Sequence, residues 1–354
     1  MIRSSLFIRH KIEKKDYLLP FGQAIVERRH PIEINDTVAF LWDILAEDKT
    51  IDELTDLAAK HYDMKSDEEI SSLHADIKVC LDRLVKDGAV IDDNASGRGE
   101  KAENSDGVSF ATEAHGKDRS CSNILIKAKD LEVYELPDSY HLEFPVFEEY
   151  KSADYKKSDI EKDYDLEKIA KAPREEFLAS RWFYGLKGLS LKRIFVHSVS
   201  ILYQGELWLF AAPAGTGKST HAEKWLADGE TKIINGDLNM LGLEADKVYA
   251  YGTPWCGTSG IYDLNKYPVG GIVFLARAGY EHIEEMTEEE KILALVSRTV
   301  SPIWNKEMLE SILDTAGKIV DNTIMCRLYC TKNDSAYVTM KEYVDCQKKV
   351  NEKN

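Results

Sequence analysis

Long apolar runs are missing from these 354 residues. No stretch approaches the roughly 18 apolar residues that a membrane-crossing helix needs. The first residues, MIRSSLFIRHKIEKK, lack the apolar centre of a secretory signal. A cytoplasmic protein with no membrane partner is expected. Basic charge is also scarce, with 46 Lys and Arg against 62 Asp and Glu and a net charge of −16. That balance disfavours nucleic acid and anionic membranes, both of which need a basic face. Cysteines are few and scattered, at 80, 121, 256, 326, 330 and 346. Only Cys326 and Cys330 are close, and a single C-x3-C without nearby histidines is a poor metal signature, so reduced structural thiols are expected. There is no internal repeat.

What is present is ample apolar content, 44%, in a chain long enough for two or three domains. Residues 93–119, DNASGRGEKAENSDGVSFATEAHGKDR, contain only Val108 and Phe110 as large apolar side chains. They read as a flexible, solvated linker dividing a module at 1–92 from a domain at 120–354.

The sharpest motif is AAPAGTGKST at 211–220. It follows Leu207-Trp208-Leu209-Phe210, a short buried strand, and precedes HAEKWLADG, a helix that stops at Gly229. Strand, glycine turn and helix are the setting of a phosphate-binding P-loop. Gly215 and Gly217 let backbone N–H groups turn inward, Lys218 brings a compact charge to the β and γ phosphates, and the Ser219 hydroxyl can ligate Mg2+. The first position of the pattern is Ala212 rather than Gly, tolerable where the backbone needs no positive φ. Ala212, Pro213, Ala214, Gly215, Thr216, Gly217, Lys218, Ser219 and Thr220 are therefore the expected ATP-binding residues.

In the N-terminal module, SLFIRHKIE, QAIVERR and HPIEIN read as small strands. NDTVAFLWDILAEDK reads as a helix capped by Asn35 or Asp36. TIDELTDLAAKHYD opens with Thr50 and Glu53 in capping-box spacing. SDEEISSLHADIKVCLDRLVKDG carries Ile70, Leu73, Ile77, Leu81, Leu84 and Val85 on one face and stops at Gly88. His61 and His74 have no partner at ligand spacing and read as surface or cap residues. Three helices with a small sheet make a winged-helix-like module without catalytic residues. IEINDTVAFLWDIL, TIDELTDLAAKHYD and ADIKVCLDRLVKDGAV, in that order, resemble the PqqD-like family over most of residues 5–92. That resemblance implies capture of a precursor (leader) peptide as an added strand on a sheet edge. The other reading is a DNA-binding winged helix, against which the acidic helix SDEEISSLHAD argues.

In the second half, NILIKAK and LEVYEL read as strands, and EEYKSADYKKSDIEKDYDLEKIAKAPREEF as a solvated helix or mobile loop. Runs on either side of Tyr203-Gln204-Gly205-Glu206 read as a hairpin. Lys232-Ile233-Ile234 is a short strand ending at Asn235-Gly236-Asp237. An acidic residue there suits a magnesium nucleotide site, and the same carboxylate could take a proton from an attacking hydroxyl. Asp237 is the first choice for the base.

His197, the P-loop and Asp237, followed by the loop YGTPWCGTSGIYDL and the apolar strand GGIVFLARAG, resemble the HPr kinase/phosphorylase family, which shares its fold with ATP-dependent phosphoenolpyruvate carboxykinases. The resemblance covers about 180–345. It implies an α/β P-loop domain that transfers phosphate from ATP to a serine or threonine hydroxyl. It places Lys218 and the loop amides on the phosphates, Ser219 and Asp237 at the metal, Asp237 as base, and His197 beside the reacting phosphate. Where that family has two consecutive aspartates this chain has Gly236-Asp237, so a dedicated kinase without reverse phosphorylase activity is expected. The loop Gly252–Gly260 could bind substrate or merely pack Trp255 and Cys256. Arg277 could neutralise transition-state charge or form a surface pair, and Glu223 could touch the site or face solvent.

Three functions follow from this reading. The first is a kinase of a ribosomally made precursor peptide held by the N-terminal module. The second is a kinase of a free serine-type small molecule. The third is a non-catalytic ATP-binding adaptor that delivers precursors to other maturation enzymes. The sequence leaves the oligomeric state open.

Overall fold

A computed structural model describes residues 1–92, 123–147 and 152–351. The chain divides into two compact units, Met1–Pro137 and Asp138–Asn354, each mixing helices with strands. The expected linker at 93–119 lies outside the described residues. No helix among those described is long and apolar enough to cross a membrane.

In the first unit, Phe7–Ile12, Lys15–Pro20 and Ile32–Ile34 pair antiparallel in that order. Three helices follow, Asp36–Ile44, Ile51–His61 and Asp67–Lys86. Of the two possible caps, Asn35 is the one whose side chain accepts from the Val38 N–H, with Asp36 the first residue inside the helix. Thr50 and Glu53 form their capping box, and Ser66 with Glu69 forms a second. Leu18, Leu41, Trp42, Leu54, Ile77 and Leu81 belong to one core, so sheet and helices bury each other's apolar faces. His61 stacks on Phe40 and His74 meets Asp52. The QAIVERR segment is not a strand: Gln23–Val26 forms a helical turn. Gly22 bends the chain at a φ of 56°, and the Gln23 side chain bonds both backbone polar groups of Lys127. That tie brings in the hairpin Asn123–Lys127 with Glu132–Glu135, which groups with the first unit.

The second unit is organised by two strands of 11 residues, Arg193–Tyr203 and Tyr267–Arg277. Each changes partners midway. Arg193–His197 pair with Leu238–Gly242, while from Ser198 onward the strand pairs with Glu206–Ala211 and, from Ser200, with Lys232–Asn235. Tyr267 and Pro268 pair antiparallel with Lys247–Tyr251, and the rest runs parallel to Glu206–Ala211 and Ile324–Cys330. Central strands with parallel neighbours are buried on both faces, which is why LWLFA and GGIVFLA read as continuous apolar runs. The charged stretch from 148 is more structured than expected. Its described part forms a strand, Ser152–Lys156, and helices at Leu166–Ile169 and Arg174–Ser190. Tyr155, buried opposite Tyr140, and Ile169 anchor it. A few well-placed side chains outweigh many solvated charges.

The P-loop strand ends at Ala211, and an eight-residue helix, Lys218–Trp225, begins seven residues later. His221, Ala222 and Trp225 pin this helix to the sheet. The Trp225 ring meets Tyr203 and Tyr337 edge-on at 5.2 Å, and its Nε1–H donates to His221 Nε2 at 3.3 Å. His221 is buried against Phe210. Burial first, and Lys224 second, push the imidazole down to about 4. Trp225 requires the ring's unprotonated nitrogen, so folding favours the neutral form. The unfolded chain takes up the proton below its ordinary value of 6.5, whereas the folded one resists until about 4. The stability from this group is therefore whole above 6.5 and declines as pH falls towards 4, by about 3 kcal/mol. His221→Gln, which keeps an acceptor but does not titrate, should flatten the pH dependence of unfolding free energy between pH 6.5 and 4 relative to the parent; parallel denaturation curves would contradict this.

Candidate phosphate-binding and acid–base site

The loop turns at Gly215 and Gly217, with φ of 74° and 116°. A Cβ at either would meet nothing within 4 Å, so the backbone handedness, not lack of space, demands glycine. Ala212 is not among the positive-φ residues, and alanine serves there. Pro213, Ala214, Gly215, Ser219 and Thr220 are exposed on the rim, with Thr216 and Gly217 half-buried. Beneath them Lys218 is buried, and its Nζ donates to the Ala212 carbonyl at 3.0 Å. The ammonium closes the loop from below.

The amides of Lys218, Ser219 and Thr220 precede the first intrahelical donor, His221, and this helix has no side-chain cap. Other helices of the chain are capped by Asn35, Thr50, Ser66, Thr287 and Asn305. Three N–H groups thus remain at the positive end of a helix dipole, the arrangement that binds phosphate. Arg277 donates to the carbonyls of Gly215 and Thr216, bracing the loop from outside rather than forming a surface ion pair. Glu223 faces solvent.

Asp237 stands at a break in a strand. The chain from Lys232 to Glu244 runs along the long strand Arg193–Tyr203, interrupted at Gly236-Asp237. The buried Asn235 side chain holds the break open. Its Oδ1 accepts from the N–H groups of Asp237 at 2.8 Å and Leu238 at 3.0 Å, and its Nδ2 donates to the carbonyl and hydroxyl oxygens of Thr253. The Asp237 carbonyl accepts from the Ser198 N–H at 2.8 Å. This is where the long strand exchanges one set of partners for another. His197 lies at the same point, with its Nε2 3.1 Å from Asp237 Oδ1 and both side chains about one-third exposed, at 29% and 34%. Lys218 feels this carboxylate: burial depresses its pKa, the Asp237 charge opposes that shift, and Arg298 adds to it.

The loop Gly252–Gly260 packs on the break. Trp255 and Cys256 are buried, and the Trp255 Nε1–H donates to the Phe177 carbonyl at 2.9 Å. Gly257, at φ +62°, is so close that a Cβ would lie 3.0 Å from the Asp237 side chain. Gly236 is closed as well. A Cβ there would sit 2.0 Å from Ser259 Oγ and 3.1 Å from the Cys256 carbonyl, so no second carboxylate fits beside Asp237 unless Ser259 moves.

Sequence reasoning passed over Asn235, Thr253 and Arg298. The first two are recognisable only once the break is seen. Arg298 follows the helix Glu288–Ser297, and its carbonyl accepts from the His197 N–H at 2.9 Å. No local pattern in SRTVS announces it.

Gly236→Ala should cost about 1–3 kcal/mol by overpacking. Adding Ser259→Gly should recover most of that loss, a coupling visible as non-additive melting midpoints. Additive effects would mean that the two residues do not touch.

No family model matches the chain, and no curated protein matches it. Among solved structures, the HPr(Ser) kinase/phosphatase from Coxiella burnetii aligns with 13% identity over 26% of this chain and 77% of that one, at a TM-score of 0.20. A likeness of that size assigns no residue and no activity.

Proposed function

We propose that this protein is an ATP-dependent phosphotransferase that moves the γ-phosphoryl group to a serine or threonine hydroxyl of a precursor peptide held by its N-terminal module. The observation that carries the reading is a lysine, Lys218, buried under an uncapped P-loop with its Nζ on the Ala212 carbonyl, together with Asp237, held at a strand break 3.1 Å from His197. A cation and open amides suit phosphate, and a facing carboxylate suits a hydroxyl that must lose its proton.

In this reading Lys218 and the amides of 218–220 grip the phosphates of ATP. Asp237 accepts the hydroxyl proton as the serine oxygen bonds to the γ-phosphorus. The bond from that phosphorus to the bridging oxygen breaks, and ADP leaves with the electron pair. His197, against one carboxylate oxygen of Asp237, orients the other towards the acceptor. Mg2+ fits the donors present, since Ser219 offers an exposed hydroxyl and Asp237 a carboxylate oxygen, and magnesium commonly takes one or two protein oxygens with the rest from phosphate and water. When bound it would neutralise phosphate charge.

Peptide capture is supported by the PqqD-like pattern and by a small sheet whose outer strands, Phe7–Ile12 and Ile32–Ile34, each pair on one side only among the described residues. A strand-adding ligand needs such an edge. The closed position at Gly236 favours a second reading, an ATP-binding adaptor that hands precursors to other maturation enzymes.

The test is mass spectrometry of serine-containing precursor peptides, and separately of free serine, incubated with full-length protein, Mg2+ and ATP. Lys218→Ala should lose most ATP binding. Asp237→Asn should keep ATP binding while transfer falls by about a hundredfold to ten-thousandfold. Phosphate appearing only on free serine would replace the peptide by a small-molecule acceptor. No transfer by the parent, with ATP binding intact, would leave the adaptor.

A further inference from the structure

Where the helix Arg174–Ser190 meets the strands Arg193–Tyr203 and Leu238–Glu244 there is a cavity of about 270 Å3. None of the residues placed above on the phosphates or at the acid–base pair lines it. Tyr164, Tyr184, Leu191 and Met240 supply apolar walls, and Lys187 and Arg193 bring two cations to it. An apolar cavity of roughly 150 Å3 already holds a benzene ring. This one has room for a ring with a short polar arm.

The two cations are only partly engaged. Arg193 makes no ion pair among the described residues, and its guanidinium lies over the Tyr251 ring, 3.5 Å from the ring centre. Glu244, a carboxylate that feels the Arg193 charge, is already bonded by Lys266 Nζ at 2.6 Å and by the Tyr251 hydroxyl at 2.9 Å. Lys187, only 13% exposed, donates to the Lys162 carbonyl at 2.7 Å and to the Asp163 carboxylate at 2.9 Å. An ammonium has three N–H groups, so one is left. Asp163 also lines the cavity, with its side chain in water. Two cations against one acid leave a single positive charge, which suits a monoanion. The Tyr184 hydroxyl makes no hydrogen bond among the described residues, and burial holds it protonated and able to donate.

The walls select what carries that charge. Tyr164 and Tyr184 meet edge-on at 5.6 Å, and Tyr184 is backed by Trp255 at 5.4 Å and Phe195 at 6.1 Å. At Gly188 the helix lies so close to the sheet that a Cβ would stand 2.7 Å from Met240 Cε. Rings packed from behind form a fixed apolar surface, and such a surface with a few polar groups is the usual form of a small-molecule site. We propose that this cavity binds a small aromatic carboxylate, its ring against Tyr164, Tyr184 and Met240 and its two oxygens bonded by Arg193 and Lys187. A guanidinium matches the two oxygens of a carboxylate, and an ammonium adds a point charge. The inference goes beyond the phosphotransferase reading and stands without it.

Calorimetry on the full-length protein would compare phenylacetate with phenylacetamide, which keeps the ring and loses the charge. The acid should bind at one site, and the amide about tenfold or more weaker. Arg193→Gln should weaken the acid by about tenfold or more. Leu191, 48% exposed, stands at the rim, so Leu191→Trp should block the mouth, abolish binding of the acid and melt with the parent. If Arg193→Gln melts early, Leu191→Trp decides. Saturating ATP with Mg2+ should leave binding of the acid unchanged. No saturable binding by the parent, equal binding of the amide, undiminished binding by Leu191→Trp, or displacement of the acid by ATP would each overturn the inference.

Discussion

One buried amide sets the geometry on which the rest of the site depends. The Asn235 side chain has all four of its hydrogen bonds made, two accepted and two donated, in a place closed to water. Without it the strand from Lys232 to Glu244 would have no reason to break where it does, and the Asp237 carboxylate would have no fixed direction. A buried polar group satisfied in this way fixes geometry more sharply than apolar packing, because every alternative leaves a donor or acceptor unmet. Thr253 completes the arrangement by donating its own hydroxyl to the Leu238 carbonyl at 2.7 Å. It thereby draws the loop Gly252–Gly260 down onto the same break.

The charges obey a second constraint. Lys218 is kept out of water, at a cost that the Ala212 carbonyl and the Asp237 charge only partly offset. Such a residue is poised for an anion, since bound phosphate would return the stabilisation that burial removed. The helix beneath the loop is equally one-sided. Trp225, Ala222 and His221 anchor it from below, while its first amides lack any cap above. Stability and readiness to bind occupy opposite faces of the same eight residues.

Much of this was legible in the chain. Elements with strong local signals came through: the capped helices at Asn35 and Thr50, the hairpin at Gln204-Gly205, the glycine turn ahead of Lys218. Each rests on residues within a few positions of one another, where propensity, capping and left-handed φ act directly. QAIVERR was misread because alternation in so short a run cannot compete with a glycine bend and a side chain tied to distant Lys127. The charged stretch from 148 misled for the opposite reason, its many solvated groups hiding Tyr155 and Ile169.

By itself the sequence determined a mixed α/β chain, a glycine turn with a lysine behind it, and an aspartate at the end of a short strand, because these are written in contiguous residues. Only the tertiary structure decided what faces that lysine. Partner exchange at Ser198 brings His197, Asp237 and Arg298 from three separate segments to one point, and the press of Ser259 on Gly236 leaves room for a single carboxylate there. Neither outcome has a local signature. Both depend on contacts between residues 20 to 100 positions apart, whose positions are set by the packing of the whole sheet rather than by the preferences of any one segment.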